Sequence, residues 1–259
     1  MKNYELLAEL NALLDVKNIR DYAPNGLQVE GKAEIRKVLT AVSASKSAIE
    51  EAIKTKADAL LVHHGYFWKG ENPELIGIKK ERIKLLLSHD INLFAYHLPL
   101  DLHPTLGNNA AIARDLSAHC GLENVAQSPE EKLLFFGDIA QNSPALAADA
   151  LAEKLHLIFR RKPQYVGSLN CKKEQKIRRI AWCSGAAQDF LSEAVKLGAD
   201  AFISGEYAER TYHEAFEYGI FYFSCGHHAT ERGGVQALST YLREQYCLES
   251  SFYDQENPF

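Results

Sequence analysis

Apolar and polar positions follow two different periods along this chain, and their alternation predicts its elements. "KVLTAVSA", "DALLVHH" and "INLFAYH" are short apolar runs rich in β-branched and aromatic residues, which is typical of buried strands. "SKSAIEEAIKTK" and "KKERIKLLLSHD" lie between these runs, and their apolar residues recur at helical spacing. Strands that alternate with helices predict an α/β fold with mainly parallel strands.

The second half of the chain repeats this pattern. The segment that begins at Ile35 aligns without gaps with the segment that begins at Ile177, and nine of the first 25 positions are identical, including the "ADA" at 57–59 and 199–201. Ungapped identity of this length favours an internal duplication. We therefore predict two related α/β modules, 1–125 and 126–259, with the boundary in the polar, turn-prone "AQSPEEK".

A histidine followed four residues later by a carboxylate comes after the last strand of each copy. The pairs are His97 with Asp101 and His227 with Glu231, and aligning them predicts that the second copy is twelve residues shorter. Residues four apart on a helix share one face, so both side chains can reach one ion. Alone, either pair is better interpreted as an ordinary helix start. Its presence in both copies favours a site for a divalent ion such as Zn, Fe, Mn or Ni.

Two adjacent histidines end another predicted strand, in "LLVHHG". On an extended strand His63 and His64 would point to opposite faces, whereas at a turn they could lie around two metal centres. Histidines in a surface loop are the simpler alternative. Six candidate ligands exceed the needs of one tetrahedral structural site, and they predict two ions with positions left for water. The candidates are His63, His64, His97, Asp101, His227 and Glu231.

The remaining ionisable candidates are weaker. His228 is only three residues from Glu231, so the repeat favours His227. Gly205 and Glu206 occupy the positions that His63 and His64 hold in the first copy, and Glu206 is predicted to orient substrate or water. The other histidines fall in helical or turn contexts where local roles are expected, and a supporting or substrate role is open only for the last of them: His89, His103, His119, His156 and His213.

Composition limits the classes of partner. The net charge is −5, and the pI of about 6.1 comes without a Lys/Arg-rich run, which argues against nucleic acid. The N-terminal "MKNYELLAELNALLD" predicts an amphipathic helix and lacks the features of a signal peptide. No apolar stretch approaches the roughly 20 residues of a membrane-spanning helix. Five scattered cysteines predict reduced thiols in a cytoplasmic protein, and Cys225 beside the histidines is expected to pack rather than to bind metal.

Two further segments have open interpretations. "YAPNGLQVEG" has turn residues, and either a surface turn or the wall of a cleft fits it. "GYFWKG" follows the His63–His64 pair, and its aromatic residues are predicted to lie in the core or at an interface rather than to stack on nucleobases.

Four motifs together carry a resemblance over nearly the whole chain: "NGLQVEG", "HHG", "YHLPLD" and "GHHATE". They resemble the dinuclear metal-centre proteins related to yeast Ngg1-interacting factor, often described as GTP cyclohydrolase I type 2 homologues. The resemblance implies two α/β domains with metals between them and a toroidal homohexamer. It implies as ligands His63, His64, Asp101, His227 and Glu231, with His97 also matching the family pattern.

The function expected from these residues is that of a dinuclear divalent-metal-dependent hydrolase, with Glu231 as the bridging carboxylate. The resemblance implies a small nucleotide substrate, GTP, whose guanine imidazole ring is opened with release of formate. The chain has no G-x-x-x-x-G-K-[ST] loop, so a triphosphate would need scattered basic residues. The alternative is a non-catalytic metal-binding or metal-handling ring, and the acidic pI argues against a third interpretation, a DNA-associated ring.

Overall fold

A computed structural model describes residues 1–167 and 176–258. Up to residue 107 its elements are α1 (Asn3–Leu13), β1 (Gly26–Val29), β2 (Lys37–Ser43), α2 (Lys46–Lys54), β3 (Ala59–His64), α3 (Gly77–Ser88), β4 (Asn92–Ala95) and α4 (Leu98–Leu102). Next come α5 (Asn108–Cys120), β5 (Leu122–Gln127), β6 (Phe135–Ile139), α6 (Ala148–Phe159), β7 (Gln164–Val166), β8 (Arg179–Trp182), α7 (Leu191–Lys196), β9 (Ala201–Ser204), α8 (Glu209–Tyr218), β10 (Phe221–Ser224) and α9 (His227–Thr230). The last are α10 (Arg232–Tyr246) and β11 (Glu249–Phe252). Every strand and helix predicted from the apolar pattern is present.

The chain divides into two compact units. The first unit is Met1–Gly107 together with Arg232–Glu256, and the second is Asn108–Glu231 together with the residues from 257 onward. This division differs from the expected boundary between 125 and 126. It differs because β11 pairs in parallel with β2 and returns the C-terminal segment to the first unit, whereas β5 pairs with β6 in the second.

The first unit is a five-stranded sheet with helices on both faces. Its strand order is β1-β4-β3-β2-β11, in which only β1 runs antiparallel to its neighbour. Alternate residues of β2 enter different apolar clusters: Leu39 packs with Ile49 of α2, and Val38 packs with Leu10 of α1. Strands buried on both faces need near-continuous apolar sequence, as "KVLTAVS" has.

The second unit holds a six-stranded sheet in the order β5-β6-β8-β9-β10-β7. Its parallel centre, β8-β9-β10, corresponds to β2-β3-β4, while β5, β6 and β7 are antiparallel additions. The α/β class and the two related modules are therefore confirmed.

Identical backbone bonds support the duplication. The Asp58 side chain accepts hydrogen bonds from the backbone N–H groups of Arg36 and Lys37, at 3.0 and 3.1 Å. Asp200 does the same for Arg178 and Arg179, at 2.8 and 2.9 Å. Each aspartate thus anchors the start of the first strand of its βαβ segment, which gives the shared "ADA" a physical reason.

The predicted alignment of His97 with His227 is wrong by one residue. Ala59 pairs with Asn92 and Ala201 pairs with Phe221, so 33 residues separate the partners in the first unit and 20 in the second. The second copy is therefore shorter by thirteen residues rather than twelve. His97 is the N-cap of α4, and its backbone counterpart is Gly226, the N-cap of α9.

The cysteines of the described residues form no disulfide. Cys225 is buried in an apolar cluster of the second unit, as expected, and Cys171 lies outside the described residues. No helix in the described ranges is long and apolar enough to cross a membrane.

Candidate metal centre

Three histidines converge at the carboxyl edge of the first unit's sheet. The ring centroids of His63 and His64 are 4.5 Å apart, and that of His97 lies 5.1 and 5.7 Å from them. One ring nitrogen from each lies within 4.8 Å of the others. The rings of His63 and His64 do not point to opposite faces of the sheet, which agrees with the alternative of a turn. His64 is the last residue of β3, so its side chain need not follow the alternation of the strand.

Each of these imidazoles is oriented through its Nδ1 atom. His63 Nδ1 is 2.9 Å from the Tyr96 carbonyl oxygen, His97 Nδ1 is 2.9 Å from Asp21 Oδ1, and His64 Nδ1 is 3.3 Å from Ser43 Oγ. A carbonyl or carboxylate oxygen can only accept, so Nδ1 of His63 and of His97 carries the proton. The lone pair then lies on Nε2, the tautomer that a metal ligand needs.

The loop before β1 holds His97 in place. Asp21 Oδ2 accepts from the Leu98 backbone N–H at 2.9 Å, and Asn25 Oδ1 accepts from that of His97 at 2.7 Å. Burial raises the pKa of Asp21, but the hydrogen bonds that its carboxylate accepts from His97 and Asn25 outweigh burial and lower the pKa to about 2. Of the two interpretations of "YAPNGLQVEG", the structure favours the wall beside the histidines.

Asp101 completes the group in this unit. It lies in α4 and is buried, and its Oδ2 is 3.6 Å from His63 Nε2. That separation exceeds a good hydrogen bond, yet two ligands of one ion commonly lie this far apart. Three imidazoles and one carboxylate, all at one sheet edge, are a donor set that suits a borderline divalent ion. The residues of the first unit therefore fit a metal.

The second unit carries a smaller group. His227 Nε2 lies 3.1 Å from Glu231 Oε1, and His227 Nδ1 lies 2.5 Å from Glu206 Oε1. Burial lowers the pKa of His227, but the two carboxylates outweigh it and raise the pKa to about 9. The same two carboxylates would also attract a divalent cation. Glu206 therefore orients a histidine, and its role towards substrate or water stays a prediction.

Gly185 leaves the space that Glu231 uses. Its φ is +67°, and a Cβ atom added there would lie 2.3 Å from Glu231 Oε1 and 3.3 Å from His227 Nε2. Both the conformation and the close approach require glycine at this position. The buried carboxylate is thus seated against bare backbone, a cradle that a larger residue would fill.

The other histidines have local partners. His89 and His119 each place Nδ1 2.9 Å from a carbonyl oxygen one turn earlier on the same helix, and His213 pairs with Glu209 at 3.0 Å. His103 Nδ1 accepts from the Leu106 backbone N–H at 3.0 Å. His156 is exposed on α6, and His228 is buried next to His227.

Two aromatic residues after β3 lie beside the histidines. Tyr66 is buried, and its hydroxyl donates to the Ala44 carbonyl at 2.6 Å. Trp68 is half-buried, with its ring centroid 5.0 Å from that of His97 and 5.9 Å from that of His64. Tyr66 thus belongs to the core as predicted, while Trp68 borders the histidine cluster.

Sequence reasoning missed Asp21. It stands 76 residues before His97, belongs to no repeat and follows no metal-ligand spacing. The only available signal was its place four residues before Asn25, just ahead of the "NGLQVEG" motif that carries the resemblance.

These observations define an α/β protein with histidine and carboxylate clusters that could hold metal ions. A model of the Duf34/NIF3 (NGG1p interacting factor 3) family matches residues 1–258, so the chain belongs to this family.

Relatives and solved structures agree with that assignment. A Salmonella typhimurium protein named GTP cyclohydrolase 1 type 2 homolog is 45% identical over 258 residues, and the match covers 100% of both chains. A solved structure of protein ybgI, of unknown function, is similar with a TM-score of 0.91 at 45% identity over 100% of both chains. A crystal structure of a Thermus thermophilus protein has a TM-score of 0.85 at 31% identity over 100% of both chains.

Proposed function

We propose that this protein is a divalent-metal-dependent hydrolase of the GTP cyclohydrolase I type 2 kind. The observation that supports it most is the convergence of His63, His64 and His97, whose ligand nitrogens lie within 4.8 Å of one another. His63 and His97 also have Nδ1 partners that leave Nε2 as the ligand atom. Core histidines need partners for their ring nitrogens but do not need to face each other.

The proposal assigns two ions to six side chains: His63, His64, His97, Asp101, His227 and Glu231. Ions held there would supply a Lewis acid and would lower the pKa of a bound water. The carboxylates of Asp21 and Glu206 accept hydrogen bonds from Nδ1 of His97 and of His227, and these bonds fix the orientation of the two rings. Glu231, buried and seated on Gly185, is the proposed bridging carboxylate.

GTP is the proposed substrate because the 45%-identical relatives carry a GTP cyclohydrolase name. In this reaction one water adds to C8 of guanine and opens the imidazole ring to a formamide, and a second water hydrolyses the formamide, so that C8 leaves as formate. Isolated protein would be loaded separately with Fe, Zn, Mn and Ni, and formate and the loss of guanine absorbance would be measured with GTP.

We expect turnover with at least one ion, and its loss in Glu231→Gln and His64→Ala. His89→Ala is the matched control, because His89 is an exposed helix-end histidine with a local partner. Stoichiometric metal binding without turnover by any loaded form would favour the alternative, a metal-handling protein. Unchanged metal content in both site variants would contradict the metal centre itself.

We also propose that the chain assembles into a homohexamer, which the family resemblance alone supports. Light scattering after size exclusion should then give six times the 29.0 kDa of the chain. A mass of one or two chains at working concentrations would contradict this assembly.

A further inference from the structure

A cavity of about 430 Å³ opens beside the histidine cluster, entirely within the first unit. Its lining includes His64 on one side and Lys79 and Arg82 of α3 on another. Tyr66 and Trp68 contribute aromatic surface. The chain that leads from β3 to β4 forms much of this wall and, counted from the start of one strand to the start of the next, it is thirteen residues longer than its counterpart from β9 to β10.

Among the described residues that line the cavity, Arg82 is a cationic side chain that could bind an anionic ligand. Its Nε atom is buried and makes no hydrogen bond to any described residue, and no described carboxylate forms an ion pair with its guanidinium. Burial raises the pKa of the Tyr66 hydroxyl to about 12, although the charge of the Arg82 guanidinium and a hydrogen bond from it act in the opposite direction. This contact gives Arg82 a neutral partner and not an anionic one. A half-buried arginine without an anionic partner is costly unless a ligand supplies one.

Lys79 has a different role. Its Nζ is 3.2 Å from Glu71 Oε1, donates to the Asn72 carbonyl at 3.1 Å and lies 4.9 Å above the centre of the Phe67 ring. Its charge is therefore already balanced by Glu71, and it fixes the loop that closes the cavity. The net positive charge of the lining comes from Arg82.

Two more features of the lining favour an anion with a flat organic part. Helix α2 begins next to the cavity at its N-cap Ser45, which places the positive end of the helix dipole there. The half-buried Trp68 ring also contacts the Tyr22 ring, with centroids 5.7 Å apart, and offers a fixed aromatic surface between His64 and solvent.

We propose that this cavity is the substrate-binding pocket of the metal centre and that Arg82 binds the anionic group, a phosphate or a carboxylate, of an aromatic substrate. The inference rests on the proposed function, because it places the reacting part of the ligand towards His64. It also identifies the basic residue that a substrate phosphate needs in a chain without a phosphate-binding loop.

The test measures binding rather than turnover. Phenyl phosphate and benzoate share a ring and differ in the anion, so calorimetric titration with each distinguishes the two chemistries. Wild type should bind at least one of them, with or without metal. Arg82→Met should weaken that binding at least tenfold, and Arg82→Lys should weaken it less, because lysine keeps the charge but not the planar fork.

The matched control is Lys84→Met. It removes the same charge from the same helix at an exposed position outside the cavity lining, so binding should change less than twofold. Metal content is measured on every sample. Loss of probe binding with unchanged metal supports the pocket, whereas absent metal with intact Arg82-dependent binding contradicts only the metal centre. No probe binding by wild type, or equal binding by a folded Arg82→Met, overturns the inference.

A second measurement needs no variant. The chain has two tryptophans; Trp182 is fully buried, so iodide can quench only Trp68. A saturating concentration of the bound probe should protect Trp68 from iodide by at least twofold in the quenching constant. Unchanged quenching at saturation would also overturn the pocket.

Discussion

The βαβ segments β2–α2–β3 and β8–α7–β9 share a backbone design and differ in chemistry at their carboxyl ends. Asp58 and Asp200 form the same pair of strand-anchoring bonds. At the end of the second strand, however, one segment has His63 and His64 where the other has Gly205 and Glu206. The strand-anchoring bonds are the same in both segments, whereas the residues at the candidate site differ.

The two units also differ in which residue accepts the hydrogen bond from the Nδ1 atom of the histidine after the last strand. In the second unit Glu206, at the position of His64, accepts from His227 Nδ1. In the first unit His64 is itself a candidate ligand, and the partner of His97 is Asp21, from outside the repeat. One position therefore carries a candidate ligand in one copy and the hydrogen-bond partner of a histidine in the other.

Gly185→Ala should produce the largest effect on the second unit. Alanine at φ +67° is strained, and its Cβ would displace the buried Glu231 carboxylate, so we expect a loss of about 3 kcal/mol in the free energy of unfolding. Urea denaturation of chelator-treated protein measures this loss. Metal analysis of the same variant should show reduced occupancy.

The matched change in the first unit is Ser43→Ala, because Ser43 occupies the position equivalent to Gly185. It removes only the 3.3 Å contact with His64 Nδ1, so stability should fall by less than about 1 kcal/mol. Equal losses of stability for the two variants would mean that the close approach of Glu231 does not require glycine at position 185.

Asp21→Asn should weaken metal binding by about 10- to 100-fold, the usual cost of losing the carboxylate partner of a ligating histidine. Glu206→Gln should cost less, because the Asp21 side chain is 3% exposed and that of Glu206 is 46% exposed, where water can replace it. Competition with a zinc chelator measures both affinities. A larger effect of Glu206→Gln would contradict the ranking.

Local patterns were sufficient to predict the elements of the two βαβ segments and most of the candidate site. "LLVHHG" and "YHLPLD" each place histidines directly after an apolar run, and the carboxyl ends of neighbouring parallel strands meet at one sheet edge. The convergence of His63, His64 and His97 follows from that geometry.

What sequence could not predict depends on contacts between distant segments. β11 joins β2 through a pairing of residues about 210 positions apart, which no local periodicity reveals. The one-residue error at His97 arose because the alignment matched side chains, whereas the register is set by backbone bonds such as Asn92 N–H to Asp58 O and Phe221 N–H to Asp200 O. Arg82 was missed because a lone arginine on a helix carries no signal until the fold places it in a cavity.

The smallest difference between the two copies is expected in the shared scaffold. Asp58→Ala and Asp200→Ala each remove the acceptor of two backbone N–H groups, so each should cost about 1.5 kcal/mol at pH 7. Asp58 also accepts from Lys32 Nζ at 2.7 Å, a half-exposed pair that adds less than about 1 kcal/mol. Urea denaturation should therefore rank the two variants close together, and a difference above about 2 kcal/mol would contradict equivalent roles.

The pH dependence of Asp58→Ala sharpens this test. Burial raises the pKa of Asp58, but the bonds from Lys32, Arg36 and Lys37 outweigh it and hold the pKa below 3.8. A carboxylate with a lowered pKa in the folded state stabilises the protein above its unfolded pKa of about 3.9, and that contribution disappears as the pH falls through the lower folded value. The stability gap between wild type and Asp58→Ala should thus be constant from pH 7 to about 5 and shrink below about 4. A gap that stays constant down to pH 3 would mean that the neutral side chain anchors the strand equally well.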